Sequence, residues 1–265
     1  MNNKNAIIVI LVILLLVVSG FFLFRQPEDR PVDDVNGEEW SDENYEDEND
    51  EEDEEITDEE ERLREIVLSF LGAPYESSPL DDEDNIYRDD AFNSTTLVLV
   101  SAAKFNFPDD PEEGIREIHY YPAGEVSYEN RLHFSTYRNK ISPFFEDITS
   151  EIGGEYTESK TVLLNKEREE GRLLDMEWEE EISLEFIRIE NFDEIIDNLP
   201  EIAGVAFIVD GDEEIGLDVR SEGILVDGES LIHAPASEEE VVEEDIFDFL
   251  ERTDYDGLNF FKFND

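Results

Sequence analysis

The acidic residues of this chain set the first limit on what it can fold into. Between Glu38 and Glu61, 17 of the 24 residues are Asp or Glu and none is Lys or Arg. Such a run cannot bury enough apolar surface to offset the entropy lost when it becomes ordered. We therefore predict that residues 25–56 form a disordered acidic linker and that the folded domain occupies residues 57–265.

The acidic excess continues through the predicted domain. The chain carries 74 Asp and Glu against 19 Lys and Arg, a net charge of −55, and only six of the cations are Lys. A surface this negative repels nucleic acid and anionic lipid headgroups, so we expect no nucleic-acid partner. Dispersed acid with few lysines indicates a halophilic protein, because molar salt screens the self-repulsion. The alternative is an ordinary domain with one acidic tail.

An uncharged run of 19 residues, from Ala6 to Phe24, precedes the linker. This length is close to the ~20 residues that span a bilayer, and it exceeds the core of a cleaved signal peptide. Residues 1–24 are therefore predicted to form an uncleaved signal anchor, with cleavage as the alternative. Arg25 and Arg30 leave the orientation open, but a five-residue tail before a large acidic domain favours the extracytoplasmic side of the cell membrane.

The chain has no cysteine and only three histidines, His119, His133 and His233. Disulfides, thiolate metal sites and a cysteine nucleophile are therefore excluded, and a histidine-rich metal site is not expected. We predict no metal and no cofactor.

Periodic apolar residues predict several helices in the domain. Thr57 and Glu60 have the spacing of a capping box before a helical pattern. Further helices are predicted over 94–105, 191–200 and 237–252, and a second capping-box spacing opens the last of these.

Strand patterns dominate the second half of the chain. Asp227-Gly228 has the sequence of a tight turn between two strands of a hairpin. Helices first and a strand meander later predict an α+β domain whose helices pack on a central antiparallel sheet. The predicted strands cover 182–189, 203–209, 217–226, 229–234 and 258–263.

Six short motifs occur in order over almost the whole domain. They are "LGAPYESSPLD" (71–81), "FNSTTLVL" (92–99), "SYENRLHFSTY" (127–137), "FEDIT" (145–149), "LDVRSEGI" (217–224) and "LIHAPAS" (231–237). Together they resemble the N-acetylmuramoyl-L-alanine amidase-like family, formerly a domain of unknown function, of the NlpC/P60 cysteine-peptidase superfamily. The resemblance implies a papain-like fold and thiol-dependent hydrolysis of amide bonds in murein stem peptides.

The resemblance also implies which positions carried the chemistry. The family's cysteine nucleophile corresponds to Ser94, its base to Ser221 and its orienting residue to His233, and only His233 is retained. A serine hydroxyl needs a base more than a thiolate does, and Ser221 cannot accept a proton near neutral pH. We therefore expect Asn93 and Ser94 to cap a helix, in a domain that has lost hydrolysis.

Three functions remain open from the sequence. We expect a membrane-anchored binding or scaffolding module at the cell envelope that takes a cell-wall peptide or glycan. The alternatives are a serine-dependent murein amidase or peptidase that uses Ser94 with His233, and a purely structural envelope protein. The candidate groove residues are Asn93, Tyr128, Arg131, His133 and Tyr137, although aromatic clusters of this kind also pack cores.

Overall fold

The computed structural model describes residues 57–82 and 85–264. The predicted signal anchor and acidic linker lie outside these residues. Within them, no helix is both long enough and apolar enough to cross a bilayer.

The helices and strands form an α+β fold around an antiparallel sheet, as the sequence predicts, although helices also occur between the later strands. The α-helices are α1 (Asp58–Leu68), α2 (Ser94–Asn106), α3 (Pro111–His119), α4 (Ser135–Ile141), α5 (Thr149–Gly153), α6 (Asp212–Ile215) and α7 (Ile246–Glu251), and 3₁₀ segments occupy Tyr128–Asn130, Gly154–Tyr156, Ile189–Glu194 and Ile196–Asn198. The strands are β1 (Phe145–Asp147), β2 (Thr157–Leu164), β3 (Glu180–Arg188), β4 (Ile202–Ile208), β5 (Ser221–Val226), β6 (Ser230–His233), β7 (Val242–Asp245) and β8 (Gly257–Phe263).

All of the strands pair antiparallel in a single sheet. The order across the sheet is β2-β3-β8-β4-β5-β6-β7, and β1 also pairs with β8. The sequence predicts a strand over 258–263, and the structure places it, as β8, between β3 and β4 in the middle of the sheet. Its apolar sequence suits this position, since both faces of a central strand are covered.

The two faces of the sheet bury different hydrophobic clusters. Ile224 of β5 and Ile232 of β6 belong to the first cluster, which contains the buried residues of α2. Leu225 and Leu231 belong to the second cluster, which contains residues of α5 and α7 and none of α2. Because side chains alternate along a strand, consecutive residues within β5, and likewise within β6, point to opposite faces of the sheet.

Local signals fix the first helix and the hairpin turn. The Thr57 side chain accepts a hydrogen bond from the Glu60 amide at 3.2 Å and the Glu60 carboxylate accepts one from the Thr57 amide at 3.1 Å, which confirms the predicted capping box. Asp227 and Gly228 both have positive φ (53° and 68°) between β5 and β6. This geometry confirms the hairpin turn, which needs two residues that tolerate left-handed backbone.

Two of the helices predicted from sequence are wrong. Residues 242–245 form β7, and α7 begins only at Ile246, where the Asp245 carboxylate accepts hydrogen bonds from the amides of Phe247 and Asp248. Ser237 and Glu240 therefore do not open a helix, because the free edge of β6 takes residues 242–245 as its partner strand. The segment 191–200 forms short 3₁₀ turns instead of an α-helix.

Candidate functional site

Asn93 caps the N-terminus of α2 through a reciprocal pair of hydrogen bonds. Its Oδ1 accepts from the Thr96 amide at 2.9 Å, and its own amide donates to Thr96 Oγ1 at 2.8 Å. Asn93 Nδ2 also donates to the Ser77 carbonyl at 3.0 Å. The predicted cap is therefore supplied by Asn93, with Thr96 as its partner.

Ser94 is the first residue of α2 and is half-buried. No hydrogen bond between described residues involves its hydroxyl. The positive end of a 13-residue helix lies beside it, as a nucleophile of the implied family would require. A serine in this position still needs a base to remove its proton.

Ser221 and His233 lie on the face of the sheet that buries the second cluster. Burial raises the pKa of the Tyr255 hydroxyl, and a hydrogen bond with the Ser221 side chain opposes the shift. His233 Nε2 lies 2.5 Å from the Glu244 carboxylate, and its ring packs edge-on against Phe249 at 4.9 Å. Both side chains thus have partners that belong to α7 and the strands and loop around it.

The charge state of His233 follows from this packing. Burial lowers the pKa of the imidazole, and the hydrogen bond to the Glu244 carboxylate only partly opposes that effect. The Glu244 carboxylate also forms an ion pair with Arg252. His233 therefore stays neutral near pH 7 and uses its Nε2 proton for a structural hydrogen bond.

A buried ion pair stands next to Ser221 on the other face of the sheet. Arg138 Nη2 of α4 contacts Glu222 Oε1 at 2.6 Å, and both side chains are almost completely buried. The guanidinium also donates to Asn139 and lies 4.7 Å from the Phe145 ring centroid. The Glu222 carboxylate is therefore neutralised by Arg138 instead of replacing the missing base.

A pocket of about 190 Å³ opens beside the N-terminus of α2. We call it the α2 pocket. Ser94 does not line it, although its neighbours on both sides do. Its walls are Ser77, Ser78, Pro79, Leu80, Asn93, Thr95, Thr96, Leu99, His119, Arg131 and His133.

A second cavity of about 190 Å³ shares Arg131 and His133 with the α2 pocket. We call it the aromatic cleft. Its two walls come from the segment before and within α4 and from the loop between β2 and β3. The lining residues are Tyr121, Glu129, Asn130, Arg131, Leu132, His133, Phe134, Tyr137, Met176 and Trp178.

Hydrogen bonds and an ion pair hold Arg131 and His133, the two residues that line both cavities. Arg131 Nη2 lies 2.6 Å from Asp82 Oδ1, which also accepts a 2.7 Å hydrogen bond from the Tyr120 hydroxyl. His133 Nε2 lies 2.8 Å from the Tyr128 carbonyl. Burial lowers the pKa of His133, so the neutral ring donates from Nε2 and keeps a lone pair on Nδ1.

His119 is the most enclosed polar group of the α2 pocket. Its Nδ1 is buried and has no hydrogen-bond partner. Burial lowers the pKa of the imidazole well below its usual value, and the positive charges of Arg131 and Arg138 act in the same direction. The residue is therefore neutral at physiological pH.

The structure brings together some of the residues predicted for the site and separates others. Asn93, Arg131 and His133 meet in the α2 pocket, and Tyr137 joins the last two in the aromatic cleft. Tyr128 packs against the His133 ring at 4.7 Å but lines neither cavity. Ser221 and His233 share the second cluster's face of the sheet and have no hydrogen bond to Ser94.

Sequence reasoning missed the second wall of the cleft. Trp178 packs on Phe134 at 5.8 Å and edge-on against Tyr137 at 5.0 Å. A single tryptophan within an acidic stretch of the predicted domain was the available signal. Its partners come from distant positions, which no local pattern connects.

Solved structures with this fold include bacterial proteins of low sequence identity. A protein from Legionella pneumophila str. Philadelphia 1 has a TM-score of 0.64 and 20% identity, over 77% of this chain and 89% of that one. An N-acetylmuramoyl-L-alanine amidase from Bacteroides uniformis has a TM-score of 0.57 and 17% identity, over 77% and 99%. A putative xylanase from Bacteroides fragilis has a TM-score of 0.56 and 20% identity, over 75% and 99%.

These likenesses define a domain with the fold of such amidases. The family model described as AmiA-like, N-acetylmuramoyl-L-alanine amidase-like, matches residues 65–258. The chain therefore belongs to the N-acetylmuramoyl-L-alanine amidase-like family. No curated protein matches it.

Proposed function

We propose that this domain is a non-hydrolytic member of its family that binds a cell-wall peptide or glycan at the cell envelope. The observation that carries the proposal is that His233 already has structural partners. Its Nε2 is hydrogen-bonded to Glu244 and its ring packs on Phe249. His233 is the one conventional base among the three positions that resemble the family's catalytic residues.

The chemistry of the remaining positions supports the same proposal. A serine nucleophile works only when a nearby base accepts its proton in the transition state. Ser221 has no basic atom for this, and the Glu222 carboxylate beside it is paired with Arg138. Members of a catalytic unit act together, so losing the base removes most of the acceleration.

The proposal also includes the superfamily to which the domain belongs. The order of motifs around Ser94, Ser221 and His233 supports a papain-like domain of the NlpC/P60 superfamily in which the catalytic cysteine and histidine have been substituted. In that interpretation Ser94 occupies a nucleophile's position at the start of α2 without performing its chemistry.

An open cavity favours a binding role over a purely structural one. Asn93, Thr95 and Thr96, which lie next to Ser94 in the chain, line the α2 pocket, and this pocket shares Arg131 and His133 with the aromatic cleft. A purely structural envelope protein would have no need to keep such a cavity unfilled by its own side chains.

Amine release from murein fragments tests the loss of hydrolysis. The purified full-length chain, in molar salt, is incubated with the fragments beside its Ser94→Ala variant, and circular dichroism confirms that both are folded. We expect equal release from the two proteins, at the level of buffer. Release that disappears in Ser94→Ala would overturn the proposal and establish a serine-dependent amidase, with His233→Gln as the next variant.

We further propose that residues 1–24 anchor the chain in the cell membrane as a single pass, with the domain on the extracytoplasmic side. The uncharged run from Ala6 to Phe24 supports this. We expect the chain to resist alkaline extraction from membranes and to be cleaved by protease added to intact cells. Leu14→Arg, which costs about 3 kcal/mol at a span centre, is the matched control and should release the chain. Full extraction of the unchanged protein would contradict the anchor.

A further inference from the structure

The aromatic cleft has exposed aromatic rings and polar side chains that do not belong to the three positions resembling the family's catalytic residues. We propose that it binds a neutral saccharide, one sugar ring of which packs on Tyr121, Tyr137 and Trp178. Arg131 and His133 form hydrogen bonds with the ring hydroxyls. This inference rests on the proposed binding role and names the ligand class. Four steps support it: the ring surfaces, the rigidity of the walls, the polar groups and the charge.

The ring surfaces in the cleft are exposed where a ligand can reach them. The Tyr121 side chain is 57% exposed, and Tyr137 and Trp178 are half-buried, with their ring planes 61° apart. Phe134 is buried beneath Trp178 and supports it from the core side. The apolar faces of a pyranose pack on such ring surfaces, and a cavity of about 190 Å³ accommodates one ring.

The wall that carries Trp178 is held in place without a ligand. Asn165, which is completely buried, donates from Nδ2 to the Trp178 carbonyl at 2.9 Å and to the Met176 carbonyl at 3.2 Å. Its Oδ1 accepts from the Leu174 amide at 2.8 Å. A pre-formed wall spares the ligand the cost of ordering the loop on binding.

The polar groups of the cleft suit hydroxyls, which donate and accept at the same atom. Neutral His133 offers a lone pair at Nδ1, since its Nε2 proton is committed to the Tyr128 carbonyl. Arg131, which also lines the cleft, offers guanidinium N–H groups. An acceptor and a donor in the same cavity match the hydroxyls of a sugar.

The charges in and around the cleft disfavour ionic ligands. The Arg131 charge is compensated by Asp82, and Glu129 stands at the rim. An anion would also approach a chain whose net charge is −55. A cation would lie against the Arg131 guanidinium. A neutral, hydroxyl-rich ring satisfies both limits.

Fluorescence of Trp178 tests the proposal directly. Trp40 is the other tryptophan of the chain, so the full-length Trp40→Phe protein reports on Trp178 alone. It is titrated in molar salt with cellotetraose, xylotetraose, chitotetraose and an alanyl-glutamyl dipeptide. We expect a saturable change with at least one tetrasaccharide, and the comparison shows whether N-acetyl groups are required. We also expect that adding Tyr121→Ala weakens binding at least tenfold, whereas Leu71→Ala, an apolar residue of 38% exposure outside the cleft, has no effect.

Three outcomes would overturn the proposal. They are no change with any saccharide up to about 10 mM, saturation by the dipeptide alone, or saccharide binding that Tyr121→Ala leaves intact. Amine release from murein fragments is measured separately, so failure here is distinguishable from a failure of the non-hydrolytic assignment.

Discussion

At the scale of single residues, Asn93 and Ser94 differ in what they contribute to the start of α2. The Asn93 side chain is fully used, by the Thr96 amide and the Ser77 carbonyl. The Ser94 hydroxyl has no such role among the described residues. A substitution at each position therefore separates the stability of the helix from the chemistry at its end.

Asn93→Ala should destabilise the domain by about 1 kcal/mol, because it leaves an amide at the N-terminus of α2 without an acceptor. Ser94→Ala should change the free energy of unfolding by less than about 0.5 kcal/mol. Thermal denaturation in molar KCl measures both. Equal losses would mean that Ser94 contributes to the cap as much as Asn93 does.

His119 should make the stability of the domain depend on pH. Burial holds its folded-state pKa well below 6.5, whereas the unfolded chain takes up this proton near pH 6.5. The unfolded state then binds more protons, so the free energy of unfolding falls as the pH drops from about 7.5 toward 5.5. One proton contributes at most about 1.4 kcal/mol per pH unit.

Proton NMR of the imidazole measures this directly. The His119 ring resonances should titrate with a midpoint well below pH 6.5 in the folded protein. In urea they should titrate near pH 6.5. A folded-state midpoint at or above 6.5 would contradict the prediction.

At the scale of elements, local sequence signals predicted what local contacts stabilise. The capping box of Thr57 and Glu60 and the Asp227-Gly228 turn lie within four residues of their partners, and both are present. Strand β7 escaped prediction because its helical pattern is overridden by pairing with β6. Helix α4 escaped because its N-terminal amide at Thr136 is capped by Asp218, 82 residues away.

The difference between local and long-range contacts also decides which residues of the site could be predicted from sequence. Arg131 and His133 were suspected from a single motif, and they do meet in one cavity. Trp178 and His119 reach the cavities from other parts of the chain, and only the sheet order and the packing of α3 and α4 bring them there. No periodicity encodes contacts of that range.

The buried Arg138–Glu222 pair should be intolerant of single substitutions. Glu222→Gln leaves the Arg138 charge without its counter-ion in the core, which costs about 3–5 kcal/mol. Replacing both, as Arg138→Met with Glu222→Leu, should recover most of the loss, since a buried pair contributes little over an apolar one.

Chemical denaturation compares the variants with an exposed control. Glu112→Ala breaks the surface pair with Arg116 and should change the free energy of unfolding by less than about 1 kcal/mol. A Glu222→Gln protein as stable as the Glu112→Ala protein would contradict the burial of the pair.

The loop between β2 and β3 should loosen when its anchor is removed. Asn165→Ala deletes the side-chain hydrogen bonds to Leu174, Met176 and Trp178. In a Trp40→Phe background, the emission of Trp178 should shift to longer wavelength as the ring gains contact with water. Thr161→Ala, on the adjoining strand, is a control that should leave the emission unchanged, and an unshifted Asn165→Ala spectrum would contradict the anchoring role.

At the scale of the whole molecule, the excess of acidic residues predicts that the stability of the domain depends on salt. Of the 74 acids and 19 cations, 17 acids and 3 cations precede Thr57, which leaves 57 acids and 16 cations from there on. Thirteen of those 16 cations form ion pairs with carboxylates. Because most cations are already paired, we expect that salt is needed to screen much of the repulsion between the remaining carboxylates.

Lowering KCl from about 2 M to 0.1 M should unfold the protein, because the Debye length grows from roughly 2–3 Å to about 10 Å. Circular dichroism at 222 nm follows the transition. Glu65→Lys with Glu155→Lys, at two exposed acids, should move the midpoint to lower salt. A folded signal that is constant across this range would contradict salt adaptation.

The central position of β8 has a consequence for how the chain is made. Residues 257–263 are synthesised after every other strand of the sheet, yet they lie between β3 and β4. Until they arrive, the β2–β3 hairpin and the β4–β5–β6 meander are two separate pieces with open edges. A ribosome that stalls before residue 257 therefore leaves a chain that cannot complete its sheet. The acidic residues of such incomplete chains repel one another, which delays their aggregation.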